Sequence, residues 1–193
     1  MSLLWVEILI LCFHEIGEVK DCNLFAAQFA KSMTTSLSDF IRIIDRYPNA
    51  EIHFDDGRRG VLVATQLLKQ RKRSATLFLV PQFIFGNVPR QEQYSDFLSV
   101  DEIKYLLRLG FKIGSHSYSH AALTKLPFDS ILSELNSSKK FLENTFNVTV
   151  THFSYPFGLV NDRVKHLTEQ IYSFCFSLDS ELGIQRKLVL PSE

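Results

Sequence analysis

Cysteine is scarce and poorly spaced for chemistry: the three copies, Cys12, Cys22 and Cys175, form no CxxC pair. An odd count without that spacing argues against a disulfide framework and against a thiolate zinc site, and it suits a reducing compartment. A surplus of one charge is also missing. Lys plus Arg number 21 and Asp plus Glu number 21, so nothing resembles the basic stripe that a phosphate backbone attracts, and nucleic acid is not an expected partner. Long apolar runs are absent as well. The stretch from Ile8 to Phe13 is too short to span a bilayer and lacks the basic flank and small-residue cleavage site of a secretory leader. It reads as a buried strand, and the expectation is no membrane insertion and a cytoplasmic location. If Met1-Ser2-Leu3 marks a trimmed start, export is expected instead. What the sequence does have is phenylalanine, 17 copies in 193 residues, enough for an aromatic and aliphatic core in one domain spanning 1–193.

Apolar runs rich in branched and aromatic residues alternate with segments of helical period. Strands are expected at Trp5–Phe13, Glu51–Phe54, Ala75–Val80, Lys112–Gly114, Thr151–Tyr155 and Phe174–Ser177. Helices are expected at Leu24–Ser32, Asp39–Arg46, Val61–Gln70, Val100–Leu109, Phe128–Phe146 and Asp162–Ile171. Ser99 with Glu102 three residues on forms a capping box, and Gly110 supplies the stop of that helix. Strands that are almost wholly apolar and separated by helices imply a parallel sheet covered on both faces or closed on itself. The fold class expected is α/β, a small, deformed (β/α) barrel, with its chemistry in the loops after the strands' C-terminal ends. The polar stretch Gln91 to Asp96 is the expected mobile loop.

Three such loops carry reactive residues. His53-Phe54-Asp55-Asp56-Gly57 ends the second strand; two adjacent carboxylates can face different ways, one towards a cation and one towards a substrate, although an Asp-Asp-Gly turn needs no function. His116 and His120 follow the fourth strand at i and i+4, a spacing that brings both imidazoles to one side of a helical turn. Two solvated surface histidines would look the same. Together with Asp56, however, they make a His-His-carboxylate set of the catalytic kind, which leaves a coordination position open. The third loop, Tyr155-Pro156-Phe157-Gly158, is a tight turn that could aim a backbone N–H into the site, or simply end a strand. His14, after the first strand, is a further candidate that spacing alone does not separate from a structural histidine.

In this order the motifs resemble those of the polysaccharide deacetylases, the NodB-homology group or carbohydrate esterase family four. HFDDG is similar to their first motif and IGSHSYSHAALTKL to their HxxxH motif; a leading Phe-His and a YPFG turn are most similar to the poly-N-acetylglucosamine de-N-acetylase branch. The resemblance extends from His14 to about Leu190. It implies a deformed barrel holding a divalent metal, zinc with cobalt or nickel as alternatives, on Asp56, His116 and His120. It further implies Asp55 as catalytic base, Phe157 as the source of the oxyanion N–H, and His14 as acid. The sequence departs from the family pattern at Ser154, where many members carry an Arg that orients the base; here that contact is missing or supplied from elsewhere. The C-terminal Leu-x-x-His motif is also absent. The expected activity is hydrolysis of N-acetyl groups on amino sugars of a surface polysaccharide or its precursor. The alternatives are O-acetyl ester hydrolysis on the same fold and a sugar-binding pseudoenzyme.

Overall fold

The computed structural model describes residues 9–18, 31–89, 96–178 and 184–188. Its strands are β1 (Ile10–Phe13), β2 (Glu15–Ile16), β3 (Thr34–Thr35), β4 (Glu51–Phe54), β5 (Thr76–Leu79), β6 (Lys112–Ser115), β7 (His152–Ser154), β8 (Phe174–Ser177), β9 (Ile184–Gln185) and β10 (Lys187–Leu188). The helices are α1 (Leu37–Arg46), α2 (Val61–Gln70), α3 (Pro81–Ile84), α4 (Val100–Arg108), α5 (Phe128–Phe146) and α6 (Asp162–Glu169), with 3₁₀ turns at Leu123–Lys125 and Pro156–Gly158. No helix among the described residues is long and apolar enough to cross a membrane.

Eight strands form one parallel sheet in the order β10-β1-β4-β5-β6-β7-β8-β9, and β2 and β3 make a small parallel pair beside it. The two ends of that order lie one residue apart in the chain. Ile184 and Gln185 pair with β8, whereas Lys187 and Leu188 pair with β1, so the single segment 184–188 joins both edges and the sheet curls on itself. This is the expected α/β barrel architecture.

Strand alternation divides the core in two. Leu11, Phe13, Ile52, Phe54, Leu77 and Leu79 point outward and pack against helix residues such as Phe40, Ala64, Leu68, Ile103 and Leu135. Ile10, Phe78 and Phe176 point inward and make a separate small cluster. His53 joins it, its ring 5.0 Å from Phe78 and 4.8 Å from Phe176. Gly114 is required by this filling: a Cβ there would stand 2.5 Å from two atoms of the Phe78 ring. Beyond the first residues of β4, β6, β7 and β8, both faces of the central strands are therefore buried, which is why the strands read as nearly continuous apolar runs.

Local signals account for the helix limits. Ser99 Oγ accepts from Glu102 N–H at 3.3 Å while the Glu102 carboxylate accepts from Ser99 N–H at 2.9 Å, and Gly110 follows at φ +89°. Helices α2 and α5 keep the expected limits. Helix α1 starts two residues earlier than expected because Ser36 caps it, and α6 ends two residues sooner, at Glu169. The strands expected at Ala75–Val80 and Thr151–Tyr155 are shorter, and β6 runs one residue further, to Ser115. Of the first expected strand, Ile10–Phe13 is paired and residues 5–8 lie outside the described residues. So do 24–30 of the expected helix Leu24–Ser32, whose residues 31 and 32 are helical, and 91–95 of the expected loop.

Candidate active site

The C-terminal ends of β1, β4, β6 and β7 open into one cavity of about 210 Å³, many times the roughly 10–15 Å³ that one water needs. His14, Asp55, Asp56, His116, His120 and Phe157 all line it. The pairing of β1 with β4 explains the first two: Phe13 stands opposite Phe54, so His14 and Asp55 leave adjacent strands at the same level.

Asp56, His116 and His120 each bring one ligand atom into a group spanning no more than 4.8 Å. Asp56 Oδ1 lies 3.6 Å from His116 Nε2 and 3.4 Å from His120 Nε2. Donors about 2.0–2.2 Å from one tetrahedral centre stand roughly 3.4 Å apart, so these separations suit a shared cation. Asp56 Oδ1 is also buried without a hydrogen-bond partner, a costly condition that a cation would relieve. His116 Nδ1 lies 2.7 Å from the Ser154 carbonyl; donating there fixes the tautomer and leaves Nε2 as the ligand atom. Burial lowers the His120 pKa to about 4 against the pull of Asp56, which keeps that ring neutral and able to bind a metal at ordinary pH. Burial pushes the Asp56 carboxyl up, but Arg58 and the nearby histidines outweigh it and hold the group well below the usual carboxylate range. The residues fit a metal of the zinc type.

Two contacts hold this set in place. Arg58, itself buried, donates from Nε to Asp56 Oδ2 at 3.1 Å and leaves Oδ1 facing the histidines. Glu134 on α5 accepts from the N–H groups of Tyr118 and Ser119, both at 2.9 Å, and from the Ser119 hydroxyl at 2.6 Å. It thereby clamps the loop between the two histidines. That loop needs a clamp, because Ser117 and His120 have φ of 61° and 62°. Asp56 at 68° and Phe157 at 60° are in the same left-handed region, so backbone strain gathers around the cavity.

Asp55 faces a different set. Arg186, between β9 and β10, donates Nη1 to Asp55 Oδ1 and Nη2 to Oδ2, each at 2.7 Å, and Nη2 reaches Ser154 Oγ at 2.7 Å. Ser154 Oγ in turn donates to Asp55 Oδ2 at 3.2 Å. The ion pair that the uncharged Ser154 cannot supply is therefore made by Arg186, from the middle of the barrel's closing segment. Burial raises the Asp55 carboxyl, yet Arg186 and His116 more than offset this and keep it ionised far below the usual range. Cys12 also contacts Asp55; burial pushes its pKa well above the ordinary value, so it is present as a thiol and not as a thiolate ligand.

His14 borders the cavity, and burial lowers its pKa, opposed by Asp56 and Asp55. In the 3₁₀ turn the backbone bonds run from Gly158 N–H to Tyr155 and from Leu159 N–H to Pro156, around Phe157. The Phe157 ring is half exposed at the mouth, 4.5 Å from that of His120. The sequence alone pointed to neither Arg186 nor Glu134. A lone basic residue near the C-terminus and one acidic residue in an amphipathic helix carry no local signal of their task.

The profile of the polysaccharide deacetylase family matches residues 46–172. The chain is 25% identical over 174 aligned residues to the poly-beta-1,6-N-acetyl-D-glucosamine N-deacetylase of Staphylococcus aureus, covering 78% of this chain and 59% of that one. Its fold is similar to that of a polysaccharide deacetylase from Bacillus cereus, with a TM-score of 0.73 at 23% identity over 95% of this chain and 65% of that chain. It is also similar to the Streptococcus pyogenes deacetylase PplD in complex with acetate, with a TM-score of 0.72 at 20% identity over 97% and 94%. The chain spans about half the length of curated relatives that it matches over most of its own.

Proposed function

Because this chain belongs to the polysaccharide deacetylase family, we propose that it is a metal-dependent hydrolase that removes N-acetyl groups from amino sugars of a surface polysaccharide or its precursor. The observation that carries the reading is the convergence of Asp56, His116 and His120 on one point of a cavity that Asp55 also faces. A cation of the zinc type on those three residues, when bound, acidifies water and polarises the acetamide carbonyl.

The chain's own groups perform the rest. Asp55, held ionised, takes a proton from the attacking water as the C–O bond forms. The Phe157 N–H faces the oxygen that gains charge and stabilises it. Breaking the C–N bond requires a proton on nitrogen, because an amide anion is too basic to leave, and His14 at the cavity edge supplies it. Acetate and a free amine result. The Arg missing at position 154 would favour a sugar-binding pseudoenzyme, and Arg186 on the same carboxylate weighs against that alternative.

Acetate release should be measured with the purified chain plus zinc or cobalt, on N-acetylglucosamine oligomers and on O-acetylated xylan. The expected result is release from the N-acetylated substrate, with Asp55→Asn inactive at unchanged metal content. Release from xylan alone would replace this reading with esterase activity, and release from neither would favour the pseudoenzyme.

A further inference from the structure

We infer that Arg186 is the positioning residue of Asp55, and that the segment 184–188 links closure of the barrel to readiness of the base. The inference takes its assay from the deacetylase reading. The contact stands on geometry alone.

Asp55 is only 2% exposed, and a carboxylate buried so completely stays charged and in one orientation only if it is paired on the spot. Arg186 does this with two parallel bonds of 2.7 Å, one to each oxygen, so turning the carboxylate out of its plane would break both. Ser154 bridges the pair, accepting from the guanidinium and donating to the carboxylate. A lysine could give charge at a single point but not the plane.

The arm is aimed by strand pairing and not by its own loop. Arg186 N–H donates to the Ser177 carbonyl at 2.9 Å. Gln185 is in register with Ser177 of β8, and Lys187 with Leu11 of β1. Both neighbours of Arg186 are thus held on opposite edges of the sheet, and the side chain enters the barrel, where its guanidinium lies 5.5 Å from the centre of the Phe78 ring. The metal set, by contrast, comes from the loops after β4 and β6. An open barrel would keep its cation site and lose the orientation of its base.

The experiment compares Arg186→Ala, Arg186→Lys and the double variant Arg186→Ala with Ser154→Arg, all as full-length protein loaded with zinc. We expect Arg186→Ala to lose kcat by roughly 10²-fold, the scale of a misplaced catalytic group, while KM and metal content stay near those of the parent. The loss should be equal on an N-acetylated sugar and on an activated aryl acetate, because both need the base. Added guanidinium ion should restore part of it. In the double variant a guanidinium re-enters from β7 into the volume vacated, and activity should recover. Arg186→Lys tests the site if the alanine variant fails to fold, and it should retain folding but not rate. In crystals, the Asp55 carboxylate of a folded Arg186 variant should turn from its parental plane. A parental kcat in a folded Arg186 variant overturns the inference while leaving the deacetylase reading intact. Parental protein that releases no acetate overturns the deacetylase reading, and the Asp55 orientation then decides the inference by itself: an unmoved carboxylate overturns it.

Discussion

At the scale of the residue, two histidines facing the barrel interior carry opposite expectations. His14 borders the cavity, and as the proton donor to the leaving amine it should matter only where the leaving group needs a proton. His14→Ala should lower N-deacetylation by about 10²–10⁴-fold and spare an aryl acetate, whose leaving group departs unprotonated. Equal losses on both substrates, measured side by side, would remove the role. His53 sits deeper, between Phe78 and Phe176, with both ring nitrogens unpartnered; Nε2 is 3.6 Å from Glu51 Oε2, beyond hydrogen-bond length. Burial lowers its pKa, whereas in the unfolded chain it is near 6.5. Between those two values the unfolded state binds more protons, so the contribution of a neutral His53 is complete above about pH 6.5 and is lost as pH falls. His53→Phe should therefore flatten the decline of Tm between about pH 7.5 and 5.5 in thermal melts of metal-free protein. An unchanged slope would assign that decline to His14 and His120, which burial also depresses.

At the scale of the element, Glu134 on α5 links a helix to the metal-binding loop through three hydrogen bonds. Glu134→Ala should weaken metal affinity by about 10–100-fold, the usual cost of losing a supporting partner of metal ligands, with Tm of the metal-free protein little changed. Competition with a chromophoric chelator reads this directly, and unchanged affinity would show that the loop holds itself. Glu134 also marks how much of the site was legible beforehand. Asp56, His116 and His120 could be picked out because each sits within a few residues of a strand end, a local pattern. Helix α4 could be placed because Ser99, Glu102 and Gly110 punctuate it. Strands β9 and β10 could not, since two-residue strands have no period to detect. Arg186 reads as a surface cation until those strands pair, and its partner lies 131 residues away. Whether the contact absent at Ser154 is missing or supplied from elsewhere stays open in the sequence for the same reason, because the compensating residue lies in the segment that closes the sheet.

At the scale of the whole molecule, the cation should act as a folding ligand, since its three ligands come from the loops after β4 and β6, which only the folded sheet brings together. Binding at about 100 times the dissociation constant stabilises the folded state by about 2.7 kcal/mol. For a chain of this size that raises Tm by roughly 5–10 °C. Scanning calorimetry with zinc and with EDTA measures the difference, and His116→Ala should abolish it; an equal rise in that variant would place the stabilising ion elsewhere. The closing segment has a consequence of another kind, in the order of synthesis. While a ribosome makes this chain, β1 emerges well ahead of its neighbour in the closed barrel, residues 187–188, which are made more than 170 residues later. Until then the nascent sheet has open backbone edges at β1 and β8, the kind of surface that recruits chaperones or pairs with other chains. Translation stalled before residue 184 would leave a sheet able to bind metal but free to aggregate along both edges.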